Sequence, residues 1–305
     1  MTPRLKSLEE PIRHMQPLII MGMHRSGTSL TVRLLRDIGI YMGDKLSRDA
    51  EAIYFQKINR RIYNTVGSKW SNIRALRNAM RSEKFIQEQT NIVLKTLFPA
   101  GTLNLKPGIA AYFGDELRRS IASGKMLYWG WKDPRTSFTF PIWLNIFPNA
   151  RFLHIIRNGI DVAISTHRRG HKQQKKLWKR VLQLDYSPLT LDFQYRFQLW
   201  QEYLAFILEF KQIIPSDQYL ELRYEDLLAK PVELLRQITQ FFGYPIQDEV
   251  LLEVSKQINR SRLDNAENAK AYQEIIPSLV SDPLMQQLGY SYPTRRATVE
   301  VGNET

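Results

Sequence analysis

The 305-residue chain contains no cysteine. Disulfides, thiolate metal sites and cysteine nucleophiles are therefore excluded. A chain without disulfides suits a reducing compartment, so a cytoplasmic location is expected. No apolar run approaches the ~18 residues of a membrane-spanning helix. The first such run, Pro17-Leu18-Ile19-Ile20-Met21, is also too short for the core of a secretory signal. Histidine, aspartate and glutamate nowhere gather with metal-ligand spacing, so no metal is expected. Internal repeats, low-complexity tracts and long Gly/Ser/Pro linkers are missing as well. Acidic residues are scarce in two places. Residues 55–81 hold seven Lys/Arg and no acid, and residues 151–180 hold nine Lys/Arg and one acid. These windows carry +7 and +8 of a net charge of +13, so the remainder is slightly acidic. That is a local basic surface on a folded protein, not a basic tail. The apolar fraction of 43% is ample for a large core.

Leu18 to Met21 reads as a short buried strand, and Thr28 to Ile38 has its apolar residues at helical spacing. Helices are also expected at Ile53–Val66, Phe85–Phe98, Ile109–Ile121, Gly159–His167, Phe193–Ile214 and Pro231–Phe242. Further strands are expected at Leu127–Trp131, Arg151–Ile156 and Tyr219–Arg223. Strands alternating with helices indicate an α/β fold in three layers, a mostly parallel sheet flanked by helices. The simplest partition is one unit over 1–305, with a helical insertion at about 60–125 and a helical C-terminal region at about 244–290. Such sheets bind ligands at the carboxyl ends of their strands.

The strongest local signal is Gly22-Met23-His24-Arg25-Ser26-Gly27-Thr28-Ser29-Leu30, set between a buried strand and an amphipathic helix. Backbone N–H groups of such a loop and the helix N-terminus converge on an anion. Ser26, Thr28 and Ser29 add hydroxyl donors, and Arg25 adds a fixed charge. Gly22 and Gly27 have the spacing of a nucleotide P-loop, but Thr28 stands where that motif has lysine. Its absence counts against an ordinary ATPase, GTPase or kinase. A second anion site is expected from Arg157, at the end of a buried strand, and Ser165, eight residues on in the next helix.

Arg25-Ser26-Gly27-Thr28-Ser29-Leu30 resembles the 5′-phosphosulfate loop of sulfotransferases that use 3′-phosphoadenosine 5′-phosphosulfate (PAPS). Arg157 and Ser165 are similar in spacing to the family's 3′-phosphate segment. One departure is Gly159, where many members have proline, which implies a looser helix start. Leu222-Arg223-Tyr224-Glu225-Asp226-Leu227 resembles a third family segment, whose tyrosine contacts the adenine face. The resemblance covers residues 17 to about 243 and points to the bacterial branch close to carbohydrate and tyrosine-protein sulfotransferases. It implies cofactor binding by Arg25, Ser26, Gly27, Thr28, Ser29, Arg157, Ser165 and Tyr224, with PAPS as sulfuryl donor.

Sulfuryl transfer needs an in-line nucleophile, a base for its proton and stabilised charge on the departing oxygen. Trp129-Gly130-Trp131-Lys132-Asp133-Pro134-Arg135-Thr136 resembles the K-[TD]-P segment of the same branch. Lys132 is then expected to touch the sulfuryl group or bridging oxygen, with Asp133 orienting it and Arg135 facing the acceptor. An alternative is a buried ion pair of Asp133 with Lys132 or Arg135. Where other branches place a histidine base this chain has none, and Glu51 fits the position of the glutamate base used here. Asp133 and Asp44 are fallback bases. His24 is expected to shape the loop turn, and His154 to lie in the core. The Arg168–Arg180 run reads either as a lid or as a solvated face. Asn259–Arg262 reads as a weak candidate for a basic loop returning to the cofactor.

The acceptor is unassigned: a carbohydrate, a lipid or another hydroxyl or amine compound. Peripheral membrane contact through the basic windows is open, and no specific nucleic acid is expected. Two other readings stand beside sulfuryl transfer. One is a P-loop phosphotransferase, and the other is an anionic-polymer binding protein resting on the basic windows.

Overall fold

A computed structural model describes residues 15–99, 108–123, 127–174, 192–259 and 269–292. Four parallel strands form one sheet in the order β2-β1-β3-β4. They are β1 (Leu18–Met21), β2 (Gly130–Lys132), β3 (Arg151–Ile156) and β4 (Tyr219–Arg223). Leu18 pairs with Gly130 on one side and Arg151 on the other, and Phe152 pairs with Tyr219. After β1 the chain returns to one side of it as β2, then crosses to the other side as β3. The carboxyl ends of β1 and β3 therefore flank a switch point, the place where open α/β sheets bind ligands.

The helices follow in chain order as α1 (Thr28–Asp37), α2 (Ile53–Asn64), α3 (Arg74–Ala79), α4 (Glu83–Leu97), α5 (Ala110–Phe113) and α6 (Glu116–Ser123). Next come α7 (Thr136–Ile146), α8 (Gly159–Gln174), α9 (Phe193–Phe210), α10 (Tyr224–Ala229), α11 (Pro231–Phe242) and α12 (Asp248–Ser255). Two short helices, α13 (Ile276–Val280) and α14 (Pro283–Gln287), complete the set among the described residues.

Alternation along the strands sorts the core into two clusters, one on each face of the sheet. Ile19, Met21, Phe152 and Ile156 pack with residues of α2, α4, α7, α8 and α9. Leu18, Ile20, Leu153 and Ile155 pack with residues of α1, α10, α11 and α12. The three-layer expectation holds. Three differences have local causes. The stretch Ile109–Ile121 is two helices, because Gly114 takes φ 53° between them. The second strand is shorter than expected and shifted, so Lys132 lies within it and Trp129 makes an isolated bridge to Tyr41. Helix α7 was not expected. Nine of its eleven residues are buried, so it is apolar on all sides and shows no amphipathic period.

Candidate active site

Gly22 and Gly27 bracket the loop between β1 and α1, both at positive φ, 145° and 96°. A Cβ on Gly22 would sit 2.5 Å from the Ile155 carbonyl oxygen, so the loop passes close against β3. A Cβ on Gly27 would sit 2.0 Å from Cδ2 of Tyr224. Ser137, at the start of α7, accepts the Gly22 N–H at 3.0 Å and anchors the loop from below. No side chain caps α1, so the amides of its first turn face the crevice. Arg25 holds φ 75°, a left-handed conformation that a side-chain-bearing residue keeps only where its surroundings enforce it.

Those surroundings are the other two segments. Arg25 donates from Nε to Ser165 Oγ at 2.9 Å. Arg157 donates from its guanidinium to the Arg25 carbonyl at 3.1 Å, and that guanidinium lies 4.6 Å from the Tyr224 ring centroid. Arg157 also pairs with Asp161 at 3.5 Å, so the helix ion pair and the site contact coexist. Its Nε is buried without a hydrogen-bond partner in the structure. Residues from three separate segments of sequence thus meet in one chain of contacts. Tyr224 is only 4% exposed. Its ring is wedged between Gly27 and Arg157, so it shapes the loop, and it borders the crevice.

The end of β3 is tight instead of loose. Asn158 accepts the Ile160 N–H at its side-chain oxygen and so caps α8, while a Cβ on Gly159 would lie 2.6 Å from the Trp200 ring. Proline has no place against that ring, which is the reason for glycine here. Glu225 accepts the Asn158 N–H at 3.0 Å, locking the β3 and β4 ends together. Burial raises the Glu225 carboxyl above its ordinary range.

Lys132 projects from β2 and is 2% exposed. Its ammonium donates to the Asp49 carbonyl at 2.5 Å and to Ser29 Oγ at 3.4 Å, and stands 3.9 Å from Glu51 Oε1. Burial lowers its pKa, against the opposing pull of Glu51 and Asp133. Glu51 lies just before α2, and the Ala52 N–H ties that entry to the Lys132 carbonyl at 3.1 Å. Gln56 donates to one oxygen of the Glu51 carboxylate, and His24 Nδ1 lies 4.0 Å from the other. Burial raises the Glu51 pKa, with the Asp133 charge adding to it. A carboxylate raised in this way is a better base near neutrality.

The alternatives to Glu51 fare differently. Asp133 is fully buried and fully engaged: it accepts from Asn59 at 2.9 Å and from the backbone and guanidinium of Arg135 at 3.1 and 3.3 Å. It therefore closes the strand end with Arg135, and it holds neither Lys132 nor an open position for a base. Arg135, at 7% exposure, is not among the side chains of the crevice wall. Asp44 is exposed and away from the crevice. His154 is a core residue as expected, bonded to Tyr219 and Glu221 at 2.8 and 3.1 Å.

The assembled crevice has a volume of about 520 Å³. Its wall carries six Arg/Lys side chains against two carboxylates, a field suited to a ligand with several negative charges. Sequence reasoning missed three groups there. Arg169, one helical turn beyond Ser165, reaches the crevice from the Arg168–Arg180 run and binds Asp49 bidentately at 2.9 and 2.5 Å. Its spacing of four from Ser165 was the available signal. Residues 175–180 of that run and 260–262 lie outside the described residues. Asp49 has no motif at all. His24 does not merely shape the turn: its ring lines the crevice with its edge toward Trp70, and burial, then the Arg135 and Lys132 charges, push its pKa well down. It is thus neutral beside Glu51. In the basic window 55–81, Arg77 and Arg81 clasp Glu209 across the surface. Lys57 and Arg61 are exposed on the outer face of α2.

Fold and site together define an α/β protein with a basic crevice at the switch point of its sheet. Residues 17–248 match the Sulfotransferase family, and this chain belongs to it. The sulfotransferase domain from the curacin biosynthetic pathway is similar in fold, with 17% identity, 92% of this chain and all of that one covered, and a TM-score of 0.50. The sulfotransferase domain from the Synechococcus PCC 7002 olefin synthase covers 92% of this chain and 98% of its own at 18% identity, with a TM-score of 0.48. An uncharacterized protein of Aquifex aeolicus (strain VF5) is 22% identical over 260 residues, 81% of this chain. This chain spans 28% of the length of that curated relative. Among the described residues no helix is long and apolar enough to cross a membrane.

Proposed function

We propose that the protein transfers the sulfuryl group of PAPS to a hydroxyl or amine acceptor. Family membership supports the reaction class. The observation that carries the donor is the contact chain Arg25–Ser165 and Arg157–Arg25, which joins the expected 5′ and 3′ anion segments at one crevice. The first-turn amides of α1 with Ser29 and Arg25 suit the 5′-phosphosulfate. Arg157 and Ser165 suit the 3′-phosphate, and both line the crevice. Ser26, Gly27 and Thr28 complete the Arg25 loop, with Gly27 and Thr28 on the crevice wall.

In the transfer, the acceptor oxygen forms a bond to sulfur while the bond from sulfur to the bridging oxygen breaks. Glu51 takes the acceptor proton, and its raised pKa matches that task. Lys132 and Arg25 stabilise the charge that develops on the bridging oxygen. His24, neutral and next to Glu51, borders the acceptor side. The acceptor is a carbohydrate, lipid or other hydroxyl compound. The absence of cysteine supports a cytoplasmic setting. The test is an acceptor screen with PAPS, read by formation of adenosine 3′,5′-bisphosphate (PAP). Acceptor-dependent PAP that disappears in Glu51→Gln and Lys132→Ala supports the reading. A protein whose melting neither PAP nor PAPS shifts would contradict it.

A further inference from the structure

Both groups assigned to the transfer step are covered. The side chain of Lys132 is 1% exposed and that of Glu51 is 8% exposed. The turn Ser47–Glu51 lies over Lys132 and carries Glu51 at its end. It is internally knit: Ser47 Oγ accepts the N–H groups of Asp49 and Glu51, both at 3.2 Å, and Ser47 N–H donates to the Glu51 carbonyl at 2.8 Å. The turn therefore moves as one piece. Its Asp49 carbonyl draws in two donors that face the donor site, Lys132 Nζ and Ser29 Oγ, each at 2.5 Å. Ala50 sits at φ 57°, a left-handed backbone that costs a residue with a Cβ. A strained turn closed on Lys132 needs something to hold it. The hold is the bidentate pair of Arg169 with Asp49, at the mouth of the crevice, with side chains 30% and 33% exposed. Arg169 reaches it from the same helix as Ser165.

We propose that the Arg169–Asp49 ion pair is a latch. It keeps the Ser47–Glu51 turn shut over Lys132, and an anion arriving beside Ser165 competes for Arg169 and releases it. Asp49 is then a positioning residue that uncovers Lys132 only when the donor is bound. The trigger rests on the PAPS reading, whereas the latch itself does not.

The test is acetylation of the ligand-free protein, with the rate at Lys132 read by mass spectrometry. Asp49→Asn and Arg169→Gln each break the pair. Both should speed labelling of Lys132 by about fivefold, the shift expected on losing one half-exposed bidentate pair. The two changes act on the ammonium's acidity in opposite directions, since the Asp49 charge raises its pKa and the Arg169 charge lowers it. A gain in both therefore reports uncovering and not electrostatics. The exchange Asp49→Arg with Arg169→Asp should restore slow labelling. Asp49→Asn should also bind PAP with a faster association rate. Unchanged labelling of Lys132 in both single variants would overturn the latch. Failure of PAP to bind any variant would sink the donor reading, and the labelling rates would still decide the latch.

Discussion

Gly27 is the point where the phosphate loop, Tyr224 and Arg157 lock together, so Gly27→Ala should disturb all three. Two costs can be worked from the structure. The backbone sits at φ 96°, in the left-handed region, and a Cβ there costs about 1–2 kcal/mol. The new methyl would also lie 2.0, 2.7 and 2.9 Å from three atoms of the Tyr224 ring. That ring is 4% exposed and cannot swing into solvent without giving up its contact with Arg157. Displacing a packed group of this kind costs about 1–3 kcal/mol more. Urea denaturation of Gly27→Ala should therefore show a loss of roughly 2–5 kcal/mol. A double-mutant cycle separates the parts. In a Tyr224→Ala background the clash is gone, so Gly27→Ala should cost only the backbone share. The coupling between the two sites should be about 1–3 kcal/mol. If Gly27→Ala costs the same in both backgrounds, the ring is not what the glycine makes room for, and the interlocked loop is wrong.

Other consequences are as direct. Arg157→Ala should weaken PAP binding roughly 10–100-fold by calorimetry, the loss expected for hydrogen bonds to a charged group. Glu51→Gln should lower kcat by about 10²–10⁴-fold and remove the rise of kcat/KM as pH climbs through the raised Glu51 pKa. The folded pKa of Glu51 lies above its unfolded value, so its own contribution to stability is favourable at low pH and is lost as pH rises through the folded pKa. Asp133→Asn leaves Arg135 buried beside an uncharged partner and should cost about 3–5 kcal/mol in urea denaturation.

How much of this was legible in the sequence follows from the type of interaction. Strands β1, β3 and β4 are short apolar runs with clear turn signals, and they appear where the sequence places them. The spacing from Arg157 to Ser165 survives because both ends lie on regular elements, a strand terminus and a helix. Helix α7 was not legible because burial on every side erases the period on which a helix is read. Asp49 acts through its backbone carbonyl, which every residue has, and through an ion pair with Arg169, 120 residues away, so no local pattern could mark it. The packing role of Tyr224 has a similar origin: its partner is the missing Cβ of Gly27, a contact visible only once both segments are in place. Asp133 carried two chemically reasonable readings, and the position of Asn59, 74 residues away in sequence, decides between them.

The central claim is that Arg25, Ser165 and Arg157 form a cradle for a nucleotide with a 3′-phosphate. Calorimetric titration with PAP and with adenosine 5′-monophosphate tests it most directly, because the two differ only in that phosphate. PAP should bind roughly 10–100-fold more tightly, and the advantage should vanish in Arg157→Ala. Equal affinity for the two nucleotides, or a preference that survives the loss of Arg157, would contradict it.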